Sequence, residues 1–172
     1  MNNAFTRIVL IAFLTCCAVV SATAQDAALA RYVNHLKTSR DFTIKVAEQM
    51  KDSDYGFKLT PPQMSFAEQL MHLAETNVWL YSTIQNRKSP FAKPSNPTKA
   101  NVIDYLTKSF DYSIGVLTKL STGQLEKSYQ AEGKAMQGWD IVMLSLDHTT
   151  HHRAQCEMYL RVKGITPAEY QF

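Results

Sequence analysis

The chain has 172 residues, of which 45% are hydrophobic and 19% charged, with a formal net charge of +3 at neutral pH. That is enough for one domain with a real core. Lys and Arg total 18 against 15 Asp and Glu, and no basic stripe forms, which excludes nucleic acid as the expected partner.

Residues 1–24 read as a secretory signal peptide. Arg7 supplies the positive n-region, Ile8 to Val20 the apolar stretch, and Ala22-Thr23-Ala24 a small-x-small cleavage site before Gln25. The stretch is too short and wrongly flanked for a stable span; a retained anchor is the alternative. Cys16 and Cys17 do not make a lipoprotein signal, since Cys16 itself precedes Cys17 and no Leu stands three residues before Cys16. Residues 25–172 then form a periplasmic or secreted domain with no stable membrane insertion. Of the three cysteines only Cys156 remains, so an internal disulfide is excluded and the core must hold the domain together. Cys156 itself reads as a small buried hydrophobe, with a reactive thiol as the alternative.

Strand signals are weak and helical periodicity is strong, so an all-α fold is expected. The first helix runs from about Asp26 to Lys51, burying Leu29, Val33, Leu36, Val46 and Met50. Asp54-Tyr55-Gly56 ends it and Pro61-Pro62 connects onward. The second helix begins at Ser65, where Ser65-Phe66-Ala67-Glu68 matches a capping box. Its stripe is Phe66, Leu70, Leu73, Leu80 and Ile84, with His72 in a flanking row beside Gln69, Thr76 and Trp79. Lys88 to Pro97 carries three prolines and reads as a long linker. The third helix, about Thr98 to Leu120, presents Val102, Leu106, Phe110, Ile114 and Leu117, and Ser121-Thr122-Gly123 closes it. Residues 124–137 show little periodicity and read as a loop, with a short hairpin as an option. The fourth helix runs from about Trp139 to Lys163, with Gly164 at C′, Ile165 placed for a Schellman contact and Pro167 as a stop. Four amphipathic helices with a long second connection make a four-helix bundle.

On the fourth helix Ile141, Leu144, His148, His152, Gln155, Tyr159 and Val162 form one stripe, within about 40° of its axis. His148 and His152 are one turn apart on that stripe, a spacing that lets two imidazoles share a metal ion. His151 lies about 80° away, which selects the His148/His152 pair over His148/His151. His72, from another helix, would complete three ligands with an open position, the arrangement of catalytic metals more often than structural ones. Two hydrogen-bonded core histidines are the alternative, since an unpaired buried imidazole is costly. Glu75, one turn from His72, is a candidate ligand or hydrogen-bonding carboxylate behind it. Gln155 is placed to orient a ligand or bound water. Arg153, off the stripe, is either a solvated charge or a contact for an anionic substrate. Trp79 and Tyr159 read as core or pocket wall, and His35 as a surface residue.

The stretch His148-Thr149-Thr150-His151-His152-Arg153-Ala154-Gln155, followed by Tyr159-Leu160-Arg161-Val162-Lys163-Gly164-Ile165-Thr166-Pro167, resembles the end of the DinB superfamily domain. That family's last helix carries H-x-x-x-H-R-G-Q. Met64-Ser65-Phe66-Ala67-Glu68-Gln69-Leu70-Met71-His72-Leu73-Ala74 resembles its second helix, which supplies the first metal histidine. Ala154 stands where the family usually has Gly; alanine is small and helix-favouring and should leave metal binding intact. The resemblance implies a four-helix bundle holding a divalent ion, often zinc or nickel, through His72, His148 and His152. It also implies a similarity to thiol-dependent S-transferases and isomerases, and the pairing of domains into homodimers.

Two functional classes follow. In the first, a metal-dependent enzyme acts on a small molecule, as a transferase using a small thiol or as a hydrolase. In the second, the chain is a non-catalytic metal-binding or interaction module; no nucleophile or general base stands out near the three histidines. Export weakens the thiol analogy, because small thiols are chiefly cytoplasmic. Mass spectrometry of the exported protein is expected to find an N-terminus at or near Gln25. An intact Met1, or a lipid on Cys16 or Cys17, would overturn the localisation.

Overall fold

The computed structural model describes residues 27–131 and 133–171; the signal-peptide reading of residues 1–24 lies outside them. The described chain is mostly helical. Helix α1 covers residues 27–49. A 3-10 turn at Asp52–Asp54 leads to α2 (Phe66–Ile84) and α3 (Lys99–Leu117). A short α4 (Thr122–Glu126) precedes the antiparallel strands β1 (Ser128–Ala131) and β2 (Lys134–Gln137), and α5 (Gly138–Val162) closes the order. Among the described residues no helix is long and apolar enough to cross a membrane.

Local chemistry explains these boundaries. At α2 the Ser65 hydroxyl accepts from the Glu68 amide at 3.2 Å, while Glu68 accepts from the Ser65 amide at 2.6 Å. Those bonds and nearby Lys58 hold the Glu68 carboxyl below its usual range. Thr98 caps α3 by accepting from the Asn101 amide. Both α2 and α5 end in Schellman motifs. Gly164 (φ 72°) lets Ile165 N–H reach the Leu160 carbonyl, and Asn86 (φ 50°) lets Arg87 N–H reach that of Ser82.

Residues 118–137 depart from expectation. Ser121-Thr122-Gly123 does not close the third helix, which ends at Leu117; Ser121 instead caps α4, with Gln124 completing a capping box. A five-residue helix buries only Leu125, too little for periodicity to register. The hairpin option is the one taken, with Tyr129 opposite Met136. Gly138, the first residue of α5, lies against the α4 backbone. A Cβ there would stand 2.6 Å from the Gln124 carbonyl oxygen and 2.7 Å from the Leu125 Cα.

Helix α2 is central, packing against both α3 and α5. The core unites Leu36 and Phe42 of α1, Met50 just after it, Leu70, Leu73 and Leu80 of α2, Leu106 and Phe110 of α3, and Ile141 and Leu160 of α5. On α5 the structure corrects the expected stripe: Val162 is 60% exposed, while Ser145, Thr149, Arg153 and Cys156 are buried. The true buried face lies roughly 80° round the helix from that stripe. Small hydroxyl residues, which hydrophobicity does not flag, form its centre, and the two histidines stand at its edge.

Gly138→Ala is expected to cost about 1–3 kcal/mol, because backbone rather than a flexible side chain would have to move. Urea unfolding followed by circular dichroism checks this; an unchanged midpoint would mean that the contact between α4 and α5 yields freely.

Candidate metal centre

Asn77 and its partners set the register of the two helices that build the site. The fully buried Asn77 donates through Nδ2 to Thr149 Oγ1 at 3.1 Å and accepts from Ser145 Oγ at 2.9 Å. A slip of one residue would strand these groups in a dry core at about 1–3 kcal/mol each. Thr149 follows His148 in sequence, and Asn77 lies five residues after His72. The bond between them therefore aligns the two histidines.

In that register the ring nitrogens of His72, His148 and His152 all lie within 4.8 Å of one another. His148 Nε2 is 3.2 Å from His72 Nε2 and 3.1 Å from His152 Nε2. A tetrahedral zinc with ordinary Zn–N bonds separates its nitrogens by about 3.3 Å. A single ring proton can bridge only one of these contacts at a time, whereas a divalent cation would satisfy all three lone pairs. The donor set thus fits a metal ion. His152 is buried, while His72 and His148 are half-buried, so the cluster borders solvent.

The proton on His152 is fixed from behind. Gln69 Nε2 donates to Gln155 Oε1 at 2.6 Å, which turns Gln69 Oε1 towards His152 Nδ1, also at 2.6 Å. Nδ1 therefore carries the proton, and Nε2 faces the cluster as a lone pair. Gln155 Nε2 donates in turn to His151 Nε2 at 2.6 Å. Burial, followed by the neighbouring histidines, pushes the pKa of His148 down to about 4 and that of His152 to about 3. Both rings are thus neutral at physiological pH, the state a metal ligand requires.

Other candidates occupy different places. His151 is exposed and turned to Gln155, and His35 is exposed. Glu75 is exposed and paired with Lys93 at 2.7 Å, which takes it away from His72. Gln155 reaches the cluster only through Gln69. Tyr159 is core: its hydroxyl donates to the Met64 carbonyl, and its ring packs on Phe57 and Phe66. Trp79, expected in the core or a pocket wall, is 36% exposed and lines a surface cavity.

Arg153 is neither solvated nor turned to a substrate. It is 3% exposed, donates to Ser39 Oγ at 2.9 Å and places its guanidinium 4.5 Å from the Phe42 ring centre. It ties α5 to α1, because a long guanidinium can reach across a helix interface and stack there. Gln69 is the residue whose part sequence reasoning missed. Its signal was a polar side chain one turn before His72 in the same row.

A family model described as the DinB superfamily matches residues 35–156, a span that includes all three histidines. The uncharacterized protein YjoA of Bacillus subtilis is 25% identical over 140 residues, covering 78% of this chain and 90% of the relative. The crystal structure of that DinB-like protein superposes with a TM-score of 0.70 at 22% identity, covering 81% of this chain and 96% of the other. A DinB-like protein from Bacillus cereus superposes with a TM-score of 0.71 at 16% identity, covering 81% and 95% respectively. At these identities the solved structures establish the fold.

Gln69→Ala is expected to weaken divalent-metal binding about 10- to 100-fold by freeing the His152 ring, and His151→Ala to leave it nearly unchanged. Isothermal titration of the two variants with zinc decides the matter. Equal losses would mean that the glutamine does not orient the ligand.

Proposed function

The chain belongs to the DinB superfamily, and on that premise we propose that it is an exported protein in which His72, His148 and His152 hold one divalent ion, zinc or nickel. The convergence of the three Nε2 atoms, with Gln69 setting the proton on His152, is the observation that carries this reading. In the same reading α1, α2, α3 and α5 form a four-helix bundle, and residues 1–24 are its signal peptide. A homodimer is proposed from the family resemblance alone.

Three imidazole ligands suit borderline ions of this kind and leave coordination positions open. When bound, such an ion supplies Lewis acidity that lowers the pKa of a thiol or water beside it. The chain's own residues orient the ligand rings and admit a small molecule at the half-buried side of His72 and His148. Cys156 is fully buried, which pushes its thiol pKa far up, and Glu75 is engaged by Lys93. A reaction here would therefore draw its nucleophile from a small molecule. A thiol that has given up its proton would form a bond from sulfur to an electrophilic centre as that centre's leaving group departs, and water would serve in the same way for hydrolysis. That Cys156 is buried and Glu75 engaged also favours a second reading, a metal-binding or interaction module without catalysis.

Metal analysis of protein purified from its native compartment is expected to find one equivalent of zinc or nickel, and none in His148→Ala. Chelation should leave helicity largely intact and lower the melting temperature, because the ion stabilises only the native state. Full unfolding on chelation would make the ion structural. Turnover of a thiol with a model electrophile, lost in His148→Ala, would establish the enzyme; metal without turnover of thiols or esters would favour the module.

A further inference from the structure

A second cluster of chemistry lies beyond the histidines, at the C-terminal end of α2. The turn after α2 and the start of β1 border an open cleft of about 650 Å³, lined among others by Ser128, Gln130 and the exposed cations Arg87, Lys88 and Lys127. Among the described residues no carboxylate lines it, and none of its three cations joins an ion pair. The Schellman turn at Asn86 sets the course of Arg87 and Lys88 past the last turn of α2. The negative pole of a helix C-terminus favours those two charges by itself. It does not account for Lys127, which follows α4 and lines the same cleft, its ammonium 5.7 Å from the centre of the Tyr129 ring.

A second cavity of about 530 Å³ adjoins the first, sharing Ser82, Thr83, Arg87 and Lys88 with it. Its wall includes Trp79, Phe91 and Tyr105, and the Glu75–Lys93 ion pair also lines it. A basic compartment therefore opens into an aromatic one, and both have the size of small-ligand sites. Three cations exceed what a single carboxylate would balance. A phosphoryl group carries between one and two negative charges and offers three acceptor oxygens to the lysines, the guanidinium and the nearby hydroxyl and amide donors.

We propose that this paired cleft is a metal-independent site for a phosphate monoester with an aromatic body, the phosphoryl group among Arg87, Lys88 and Lys127 and the ring against Trp79. None of the three histidines lines either cavity, so the proposal does not rest on the metal reading.

The full-length protein is titrated with phenyl phosphate, inorganic phosphate and phenol at a fixed chloride concentration, with and without chelator. Amide NMR and tryptophan fluorescence are the readouts. Phenyl phosphate is expected to saturate, to shift the amides of Arg87 and Lys127, and to bind about tenfold tighter than inorganic phosphate through the ring contact. Phenol should not bind measurably. Lys127→Ala should weaken both phosphates about tenfold, and Trp79→Phe should remove the fluorescence change. His148→Ala and chelation should leave the affinities unchanged. Linear, non-saturating shifts would reduce the cleft to a solvated basic surface. Binding lost on chelation would place the phosphate on the ion, and either result overturns the proposal.

Discussion

The buried amide of Asn77 is the constraint on which the rest of the structure depends. Apolar contacts between α2 and α5 are non-directional and tolerate small displacements, whereas a carboxamide bonded on both sides does not. Ser145 and Thr149 are also small, so they let the helices approach closely at the bond itself. The same rigid register carries His72 towards His148 and His152.

The position of the histidines at the edge of the buried face governs their chemistry. Deeper in the core they would be dry and closed to any partner; further out they would be solvated and free to protonate. At the edge, burial and mutual proximity keep His148 and His152 neutral, while the outer side of the cluster stays open. Gln69, buried beneath the cluster and held by Gln155, completes the arrangement. Without their chain of amides the His152 ring could present either nitrogen. Arg153 illustrates the opposite use of a polar group. It sits next to His152 in sequence, yet its charge is directed to α1, where it meets Ser39 and Phe42, with Glu157 of its own helix 3.9 Å from Nε.

Helix α2 links the two regions of chemical interest. Its first half supplies Gln69 and His72 to the histidine cluster. Its second half supplies Trp79 and Ser82 to the cavities near its C-terminus, and its capping turn supplies Arg87 and Lys88. The short helix α4 and the hairpin matter chiefly because they bring Lys127 and Tyr129 to that end. Gly138 allows α4 to lie directly on the start of α5.

Local signals in the sequence were sufficient for the long helices and for most of their ends, the close of the third being the exception. Apolar residues at helical spacing, the Ser65/Glu68 capping box and Gly164 act over a few residues, so their meaning survives without tertiary context. The His148/His152 spacing is local in the same sense, and with the family resemblance it pointed to His72. Several features were decided only by the tertiary structure. The hydrophobic pattern of α5 placed the centre of its buried face about 80° round the helix from where it lies, because Ser145 and Thr149 are buried for a hydrogen bond rather than for apolarity. Arg153 looked exposed because nothing in its neighbourhood reveals Ser39 and Phe42, more than a hundred residues earlier. Gln69 looked like one of several flanking polar residues until His152 and Gln155 were brought against it from another helix. Composition and periodicity determine what a segment can become; which polar groups meet across helices depends on register, and register is a property of the packed chain alone.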